Sequence, residues 1–443
     1  MPAGYPTVRP YKILDFANNQ SIDSDFVFTR STTASFANAS GFLEVASANV
    51  LRPAYTPATG AYLGALMEFA STNLLPWSNN IAHPSWYYAP QNAPLQSGFI
   101  GVGNQATAFR VGEGTVPGVW ELGTSISLPS GLTTSYSAFV KADGVSRGYL
   151  QFVGLNPSGN VVGNLLVNFD LAKGEVYPEN LSSNSLFATS IEPWRNGWYR
   201  IGGVGSISSA ATLGVLYLRL KDDNNSTFYL GRGNGLLVDG FQVERATTSV
   251  GSNLISSFIA TSGTALSRAT DLLASEGARI NNWYTQGSQT FYVEAITDYK
   301  DYNGVGRGHV LVTNTGTSER ADIRFVCVAP GGSYPVFQAS LASGAPLTTF
   351  VQVPMVNGLN AWENPSSGAG TTRPITAHCA LSYTTSGAFF AYNGAISNLP
   401  LGLVPSGINR VEIAAIAGGK FIARRYAFYP YLTSGEASLV TQS

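Results

Sequence analysis

Between Gly214 and Lys221, Val215, Tyr217 and Arg219 alternate with Leu216, Leu218 and Leu220. A period of two marks a strand of an antiparallel sheet with one face in a core and the other partly wet. Eight further pieces of this kind fill residues 76–248: ATAFRVG, VWELGTSISL, SYSAFVKA, YLQFVGL, VVGNLLVNFDL, SLFATSIEPW, WYRIGGVGSI and LLVDGFQVE, with Gly, Asn, Asp or Ser at the breaks. Nine short strands at this spacing predict a two-sheet jelly roll. Residues 273–443 carry a second series: QTFYVEAI, GHVLVTN, ADIRFVCVA, YPVFQASL, TTFVQVP, ITAHCALSY, GAFFAYNG, NRVEIAAI and KFIARRYAFYP. The expected fold is all-β, two antiparallel jelly-roll β-sandwiches preceded by an extended N-terminal arm. No period of about 20–50 residues repeats, which argues against a β-helix or a solenoid.

Length agrees with two bodies, because single cores split beyond about 250–300 residues and this chain has 443. The expected division is an arm and collar at 1–75, a first sandwich at 76–248, a Ser, Thr and Gly-rich connector at 249–272 and a second sandwich at 273–443. Pro2, Pro6 and Pro10 favour extended backbone without internal hydrogen bonds, so the arm is expected to be ordered only by lying against something else. The short pieces FVFTR, GFLEVAS and RPAY are too few to close a core and are expected to form a collar on the first sandwich. Leu63 to Leu75, bounded by Gly60, Gly64 and Ser71-Thr72-Asn73, reads as a buried connector from collar to sandwich.

Charge narrows the function classes. A formal net charge of −1, with no basic block, argues against a nucleic-acid role, since phosphate binding needs concentrated Lys and Arg. Charge so near zero makes self-association the expected state, a homo-oligomer. No run of about 18 apolar residues occurs, so no membrane insertion by a helix is expected. The start MPAGYPTVRPYKILDF lacks a charged segment followed by an apolar one, so the chain is expected to be made and kept in the cytosol. Cys327 and Cys379 are then expected to be reduced, buried thiols.

Catalytic patterns are missing. There is no G-x-S-x-G elbow, and His83, His309 and His378 are far apart, His378 on a strand as a structural residue and the others beside turns. Glycan cleavage needs two carboxylates facing each other about 5–9.5 Å apart. Asp170, Glu192, Asp239 and Glu244 are the candidates, and turn formation already explains Asp170 and Glu192. Strand-like residues follow GRGNG (231–235) and GVGRG (304–308), where a phosphate cradle needs a helix N-terminus. No catalytic residue is assigned and no cofactor is expected beyond a structural calcium ion. Its candidate ligands are Asp298, Asp301 and Asn303, with Asp222-Asp223-Asn224-Asn225 a second oxygen-rich turn; plain turn chemistry accounts for both.

Neutral sugar needs an aromatic ring for its C–H face and amides or carboxylates for its hydroxyls. Trp86, Tyr87 and Tyr88, between two prolines, form the best such cluster, followed by Trp283 and Tyr284 and by Trp362. Trp194 and Trp198 bracket Asn196-Gly197 in a hairpin.

A resemblance extends these readings. Phe28-Thr29-Arg30-Ser31-Thr32, Ala48-Asn49 with Arg52, and Leu63 to Glu68 leading into Thr72-Asn73-Leu74-Leu75 resemble a recurring lead-in of tailed-bacteriophage tail, fibre and decoration proteins. Asp239 to Glu244, Ser257-Phe258-Ile259, Ser267 to Asp271 and the tail Phe428 to Thr433 extend the likeness. It implies that Asp239–Glu244 closes a carbohydrate-binding-module-like sandwich and that Trp194 and Trp198 are core residues. The second would be concanavalin- or laminin-G-like, ending in a Pro turn and one short helix, with Thr433 as N-cap and Glu436 three residues on. It implies a structural virion protein, a tail fibre or surface decoration that holds host-surface glycan. The arm would bind other virion proteins or a neighbouring subunit, and the oligomer would be a trimer released by lysis. Alternatives are a polysaccharide depolymerase tailspike and a purely architectural virion protein.

Overall fold

The computed structural model describes residues 8–89, 95–131, 133–178, 186–245, 255–284, 287–297, 307–313, 320–327, 335–342, 350–354, 375–399, 408–414 and 420–442. The chain is all-β, as expected: antiparallel sheets dominate, and the helical segments among the described residues are short. No described helix is long and apolar enough to cross a membrane.

The first sandwich is two six-stranded sheets. One runs, edge to edge, Glu175–Pro178, Val161–Asp170, Arg147–Leu155, Leu213–Lys221, Glu121–Ser127 and Trp86–Ala89; the other runs Leu186–Pro193, Trp198–Ser206, Thr133–Asp143, Gly235–Arg245, Ala108–Gly112 and Leu95–Phe99. All nine strands expected here are present. Alternation sets the layers, because Leu150 and Phe152, Leu165 and Val167, and Leu216, Leu218 and Leu220 bury one side of the first sheet against Ala138, Val140, Val238 and Phe241 of the second. Trp194 and Trp198 are buried, with Trp194 edge-on to Phe139 at 5.1 Å.

The second sandwich contains more of the chain than its own segment. Its eight-stranded sheet includes Gln289–Thr297, Ile375–Thr384 and Lys420–Tyr429, and is extended by Tyr62–Glu68 and Arg52–Tyr55. Lys12–Asp15 pairs with residues 425–428 and Tyr62–Glu68 with residues 420–423, so two N-terminal strands share one edge of Lys420–Tyr429. In the opposing seven-stranded sheet, Val27–Thr29 pairs with Leu272–Glu276. Leu14, Phe16, Phe26, Phe28 and Met67 complete a core with Phe291, Ile413 and Phe428. This corrects the expectation of an arm ordered only by another protein or subunit and of a collar resting on the first sandwich. From Lys12 onward the arm is ordered by its own chain, because an open strand edge and an uncovered apolar face receive it. The collar also touches the first sandwich, through Leu43 and Val102.

Five of the motif residues that carry the resemblance, Arg30, Arg52, Glu68, Arg268 and Asp271, converge on one buried junction. The Arg52 guanidinium pairs with Glu68 Oε2 at 2.7 Å and with Asp271, and donates to the Ser35 carbonyl and Ser257 Oγ, each at 2.8 Å. Arg30 reaches Asp271 Oδ1 and Arg268 reaches Glu68 Oε2, each at 3.0 Å. All five side chains are essentially sealed from solvent. Burial alone would raise the Glu68 pKa; Arg268 and Arg52 outweigh it and hold the carboxyl far below the usual glutamate range. Ile255 to Ile259 of the connector docks here, with the Ser257 backbone N–H on Glu68 Oε1 at 2.8 Å.

The C-terminus follows expectation. Ser434–Val440 is helical behind a capping box, in which the Glu436 N–H donates to Thr433 Oγ1 at 3.3 Å and the Thr433 N–H to Glu436 Oε2 at 2.9 Å. Cys379 is a buried free thiol, its pKa pushed up by burial; the Cys327 side chain lies outside the described residues.

Candidate functional site

Trp86–Ala89 is the edge strand beside Glu121–Ser127, and its alternation divides the aromatic cluster. Trp86 points inward at 5% exposure, its indole N–H on the Trp77 carbonyl at 2.9 Å and its ring 4.8 Å from Phe241. Tyr88 shares that side, half-buried against the same core. Tyr87 faces out at 41% exposure. Only one member of the cluster therefore offers a free ring, because a strand turns successive side chains to opposite faces.

That ring belongs to a larger surface. Across the sheet, Tyr87 is in register with Gly123, Tyr217, Gln151 and Leu166; the next outward row is Ala89, Glu121, Arg219, Tyr149, Asn168 and Tyr177. Gly123 makes room for the platform, since a Cβ there would lie 2.6 Å from the Tyr87 ring. Tyr217 stands edge-on to Tyr87 at 6.3 Å. The Tyr87 hydroxyl donates to Glu121 Oε1 at 3.3 Å, and Glu121 Oε2 accepts from Arg219 Nε. The Arg219 guanidinium lies 5.6 Å from the Tyr149 ring centre and 5.5 Å from that of Tyr217, and Nη1 donates to the Tyr149 hydroxyl at 2.6 Å. Burial, Tyr217 and the Glu121 carboxylate all push the Tyr87 phenol far above its ordinary pKa, so it is a neutral donor. Two polar links complete the face, Gln151 Nε2 to Asn164 Oδ1 at 2.9 Å and Lys221 Nζ to Asn168 Oδ1 at 2.7 Å.

The result is a face that runs across strands and offers Tyr87, Tyr217, Tyr177, Gln151 and Asn164 to solvent, above a buried layer of Tyr149, Glu121, Leu166 and Asn168. Six strands spaced roughly 4.8 Å apart make it about 24 Å wide. Sequence reading identified Tyr87 and missed Tyr217, Arg219, Tyr149, Tyr177, Glu121 and Gln151. The usable signal was the outward half of the alternation, Tyr217 and Arg219 in Gly214–Lys221, and Tyr149 and Gln151 in YLQFVGL.

The other expected site residues lie elsewhere. Trp283 is 7% exposed, 4.7 Å from Phe428 and bonded through its indole N–H to Ser275 Oγ at 3.1 Å. A sugar cannot reach it, nor Trp86. Tyr284 packs on the second core with its hydroxyl 3.3 Å from that of Tyr383; burial pushes its pKa up to about 12 against the opposing effect of that contact. Trp362, Asp298, Asp301 and Asn303 lie outside the described residues. Asp222 serves its own turn, Oδ1 accepting from the N–H groups of Asn224 at 2.9 Å and Ser226 at 2.7 Å. Among the described residues no three His, Cys, Asp or Glu side chains are grouped to hold a metal.

The four candidate carboxylates are bonded apart. Asp170 pairs with Arg147 Nε at 2.9 Å, and Glu192 accepts from the Trp194 indole at 2.9 Å. Asp239 accepts from the Val102 N–H at 2.9 Å and Thr107 Oγ1 at 3.1 Å; burial raises its pKa against those two bonds. Glu244 is held by Ser71, Ser135 and Ser256. His83 stacks on Trp77 at 4.2 Å, and His378 Nδ1 meets the Tyr292 hydroxyl at 3.0 Å.

No family model and no curated protein matches the chain. Solved structures similar to it include Trypanosoma rangeli sialidase in complex with the inhibitor DANA, at TM-score 0.24 and 10% identity, covering 73% of this chain and 60% of that one. The N-terminal CBM22 tandem domain from Paenibacillus barcinonensis Xyn10C gives 0.25 and 10%, covering 81% and 98%. Mouse laminin alpha1 domains LG4-5 give 0.20 and 8%, covering 70% and 87%. Likenesses at this level carry no argument about activity, and the chain spans only 60% of the first sialidase's length.

Proposed function

We propose that this chain is a non-enzymatic structural protein of a tailed-phage virion, a fibre or surface decoration, which holds host-surface glycan on the outer face of its six-stranded sheet. The observation that carries the glycan reading is the outward rank of Tyr87, Tyr217 and Tyr177 with Gln151 and Asn164 on a rigid sheet, Tyr149 and Asn168 lying buried beneath the Arg219 and Lys221 side chains. Rings stack on pyranose C–H faces while amides exchange hydrogen bonds with hydroxyls, and a platform locked beforehand loses little entropy on binding. Hydrolysis is not part of the reading, because Asp170, Glu192, Asp239 and Glu244 are each tied into a separate structural contact.

Support for the virion role comes from the sequence resemblance. Five of its motif residues, Arg30, Arg52, Glu68, Arg268 and Asp271, meet in a single buried junction, where they serve packing and charge pairing. Assembly as a homotrimer and attachment to other virion proteins belong to the same proposal.

The test is titration of host-envelope polysaccharide into the whole protein and into Tyr87→Ala and Tyr217→Ala. Wild type is expected to bind without generating reducing ends, and each substitution to weaken binding by roughly fivefold to a hundredfold, or about 1–3 kcal/mol. Undiminished binding by both variants would reject this face, and new reducing ends would reject the non-enzymatic role. Gold labelling of intact particles tests location, and light scattering tests the trimer.

A further inference from the structure

Past Glu121 the outer face of the six-stranded sheet continues onto a two-stranded ribbon. Pro117–Val119 pairs there with Phe228–Leu230, bringing Pro117 opposite Leu230 and Val119 opposite Phe228. The alternation that turns Glu121 and Gly123 outward runs on through this stretch, with Gly118, Trp120 and Leu122 buried and Pro117 and Val119 on the outer side. The Trp120 carbonyl accepts from the Leu220 N–H at 3.0 Å, which keeps ribbon and sheet in line. Phe228, opposite Val119, therefore lies on the same side as Tyr217, opposite Gly123. Four residues of strand separate the two levels, about 13 Å.

Packing on the inner side holds the ribbon rigidly. Tyr229 rests on the first core, and Gly231 is so close to the Gly114 carbonyl and the Trp120 ring that a Cβ would lie 2.1 Å from one and 3.0 Å from the other. Glu113 Oε1 fixes the exit by accepting from the N–H groups of Arg232 at 2.8 Å and Asn234 at 3.2 Å. None of this requires the outer residues. Phe228, at 64%, is the most exposed large apolar side chain among the described residues, and Leu230 beside it stands at 61%. On the turn just before Phe228 the Asp222 carboxylate makes the local hydrogen bonds, which leaves the exposed amides of Asn224 and Asn225 free. A bare ring on a fixed support with amides nearby repeats what Tyr87 and Tyr217 offer with Gln151 and Asn164, and it suits a pyranose in the same way.

We infer that the ligand of this face is a linear polysaccharide held by an internal run of several sugars, lying along Gly214–Lys221 from Tyr87 and Tyr217 to a second stacking subsite at Phe228. This rests on the glycan reading and adds to it a direction and a minimum length. A single terminal sugar would fill one subsite and leave the other empty. The route across strands is interrupted, because the row of Tyr217 and Gln151 ends at buried Leu166.

Calorimetric titration of the full chain with fragments of host-envelope polysaccharide, fractionated by length, tests this. Wild-type affinity is expected to rise roughly threefold to tenfold once fragments reach both subsites, and Phe228→Ala to remove that rise while binding the shortest fragments as wild type does. Phe228→Trp should restore the rise, and Tyr177→Ala, on the route across strands, should leave it in place. Affinity that ignores length, a rise that survives Phe228→Ala, or a rise lost in Tyr177→Ala instead would overturn the inference while the glycan reading stands. If the surviving rise comes with a lower oligomer mass of Phe228→Ala by light scattering, the ribbon is a contact between copies. Failure of folded wild type to bind fragments of any length would overturn both.

Discussion

Arg52 ties the strand Arg52–Tyr55 to Glu68, Asp271, Ser35 and Ser257 through one guanidinium. Removing one member of a buried charge cluster strands the others, a loss of about 3–5 kcal/mol. Arg52→Met is therefore expected to lower the midpoint of a urea melt sharply, and a midpoint within error of wild type would show the cluster to be energetically idle. Glu68 gives the matching pH dependence. Its folded-state pKa lies below its ordinary value of 4.5, so its contribution is present above about pH 4.5 and is lost as pH falls toward the folded value. Glu68→Gln is expected to be less stable than wild type at pH 7 and to lose less stability between pH 4.5 and pH 3, measured by urea melts across that window. A subtler residue effect concerns Gly123, where a methyl group would meet only the movable end of Tyr87. Gly123→Ala should tilt that ring and reduce polysaccharide binding several-fold while shifting the melt little. In sequence, the aromatic triplet at 86–88 is legible but its division into core and surface is not, because the four-residue strand Trp86–Ala89 is too short to display a period.

Strands were the most legible elements. A period of two with leucine, valine and phenylalanine on one side leaves little else for YLQFVGL or Gly214–Lys221 to become. The terminal helix was equally open to reading, since Thr433 and Glu436 satisfy each other's orphan backbone donors. Thr433→Ala should cost about 1 kcal/mol, and because Leu432 and Ala437 pack in the same small core, the loss should appear as faster hydrogen exchange in 434–440 before the global melt moves. No local pattern announced the pairing partners of the N-terminal strands. KILD and YLGALME look like any half-buried strands, and which edge receives them depends on a strand some 350 to 410 residues later. Gly64 is the one local trace of that pairing, with φ at +142° and space for a Cβ blocked by the Ala423 carbonyl at 2.4 Å.

For the whole molecule, this pairing means that sequence segments and folding units differ. The main core of the first sandwich is drawn from Leu75 to Val243, and the other side of its second sheet is covered by Phe258 of the connector with Ala37 and Leu43 of the collar. The second core takes Leu14, Phe16, Phe26, Phe28, Ala65 and Met67 from the N-terminal segment, and one edge of Lys420–Tyr429 is satisfied only by Lys12–Asp15 and Tyr62–Glu68. The first sandwich is thus an insertion between two pieces of one discontinuous body, with the ion cluster of Arg30, Arg52, Glu68, Arg268 and Asp271 at the point of insertion. A fragment spanning 70–265 should melt cooperatively on its own. A fragment spanning 270–443 should not, since it exposes an unpaired strand edge and part of an apolar core. Adding a separate 8–69 peptide to the 270–443 fragment should restore a cooperative melt with near-ultraviolet dichroism. If 270–443 folds alone with the stability of the intact chain, the N-terminal strands are an appendage and the discontinuous body does not exist.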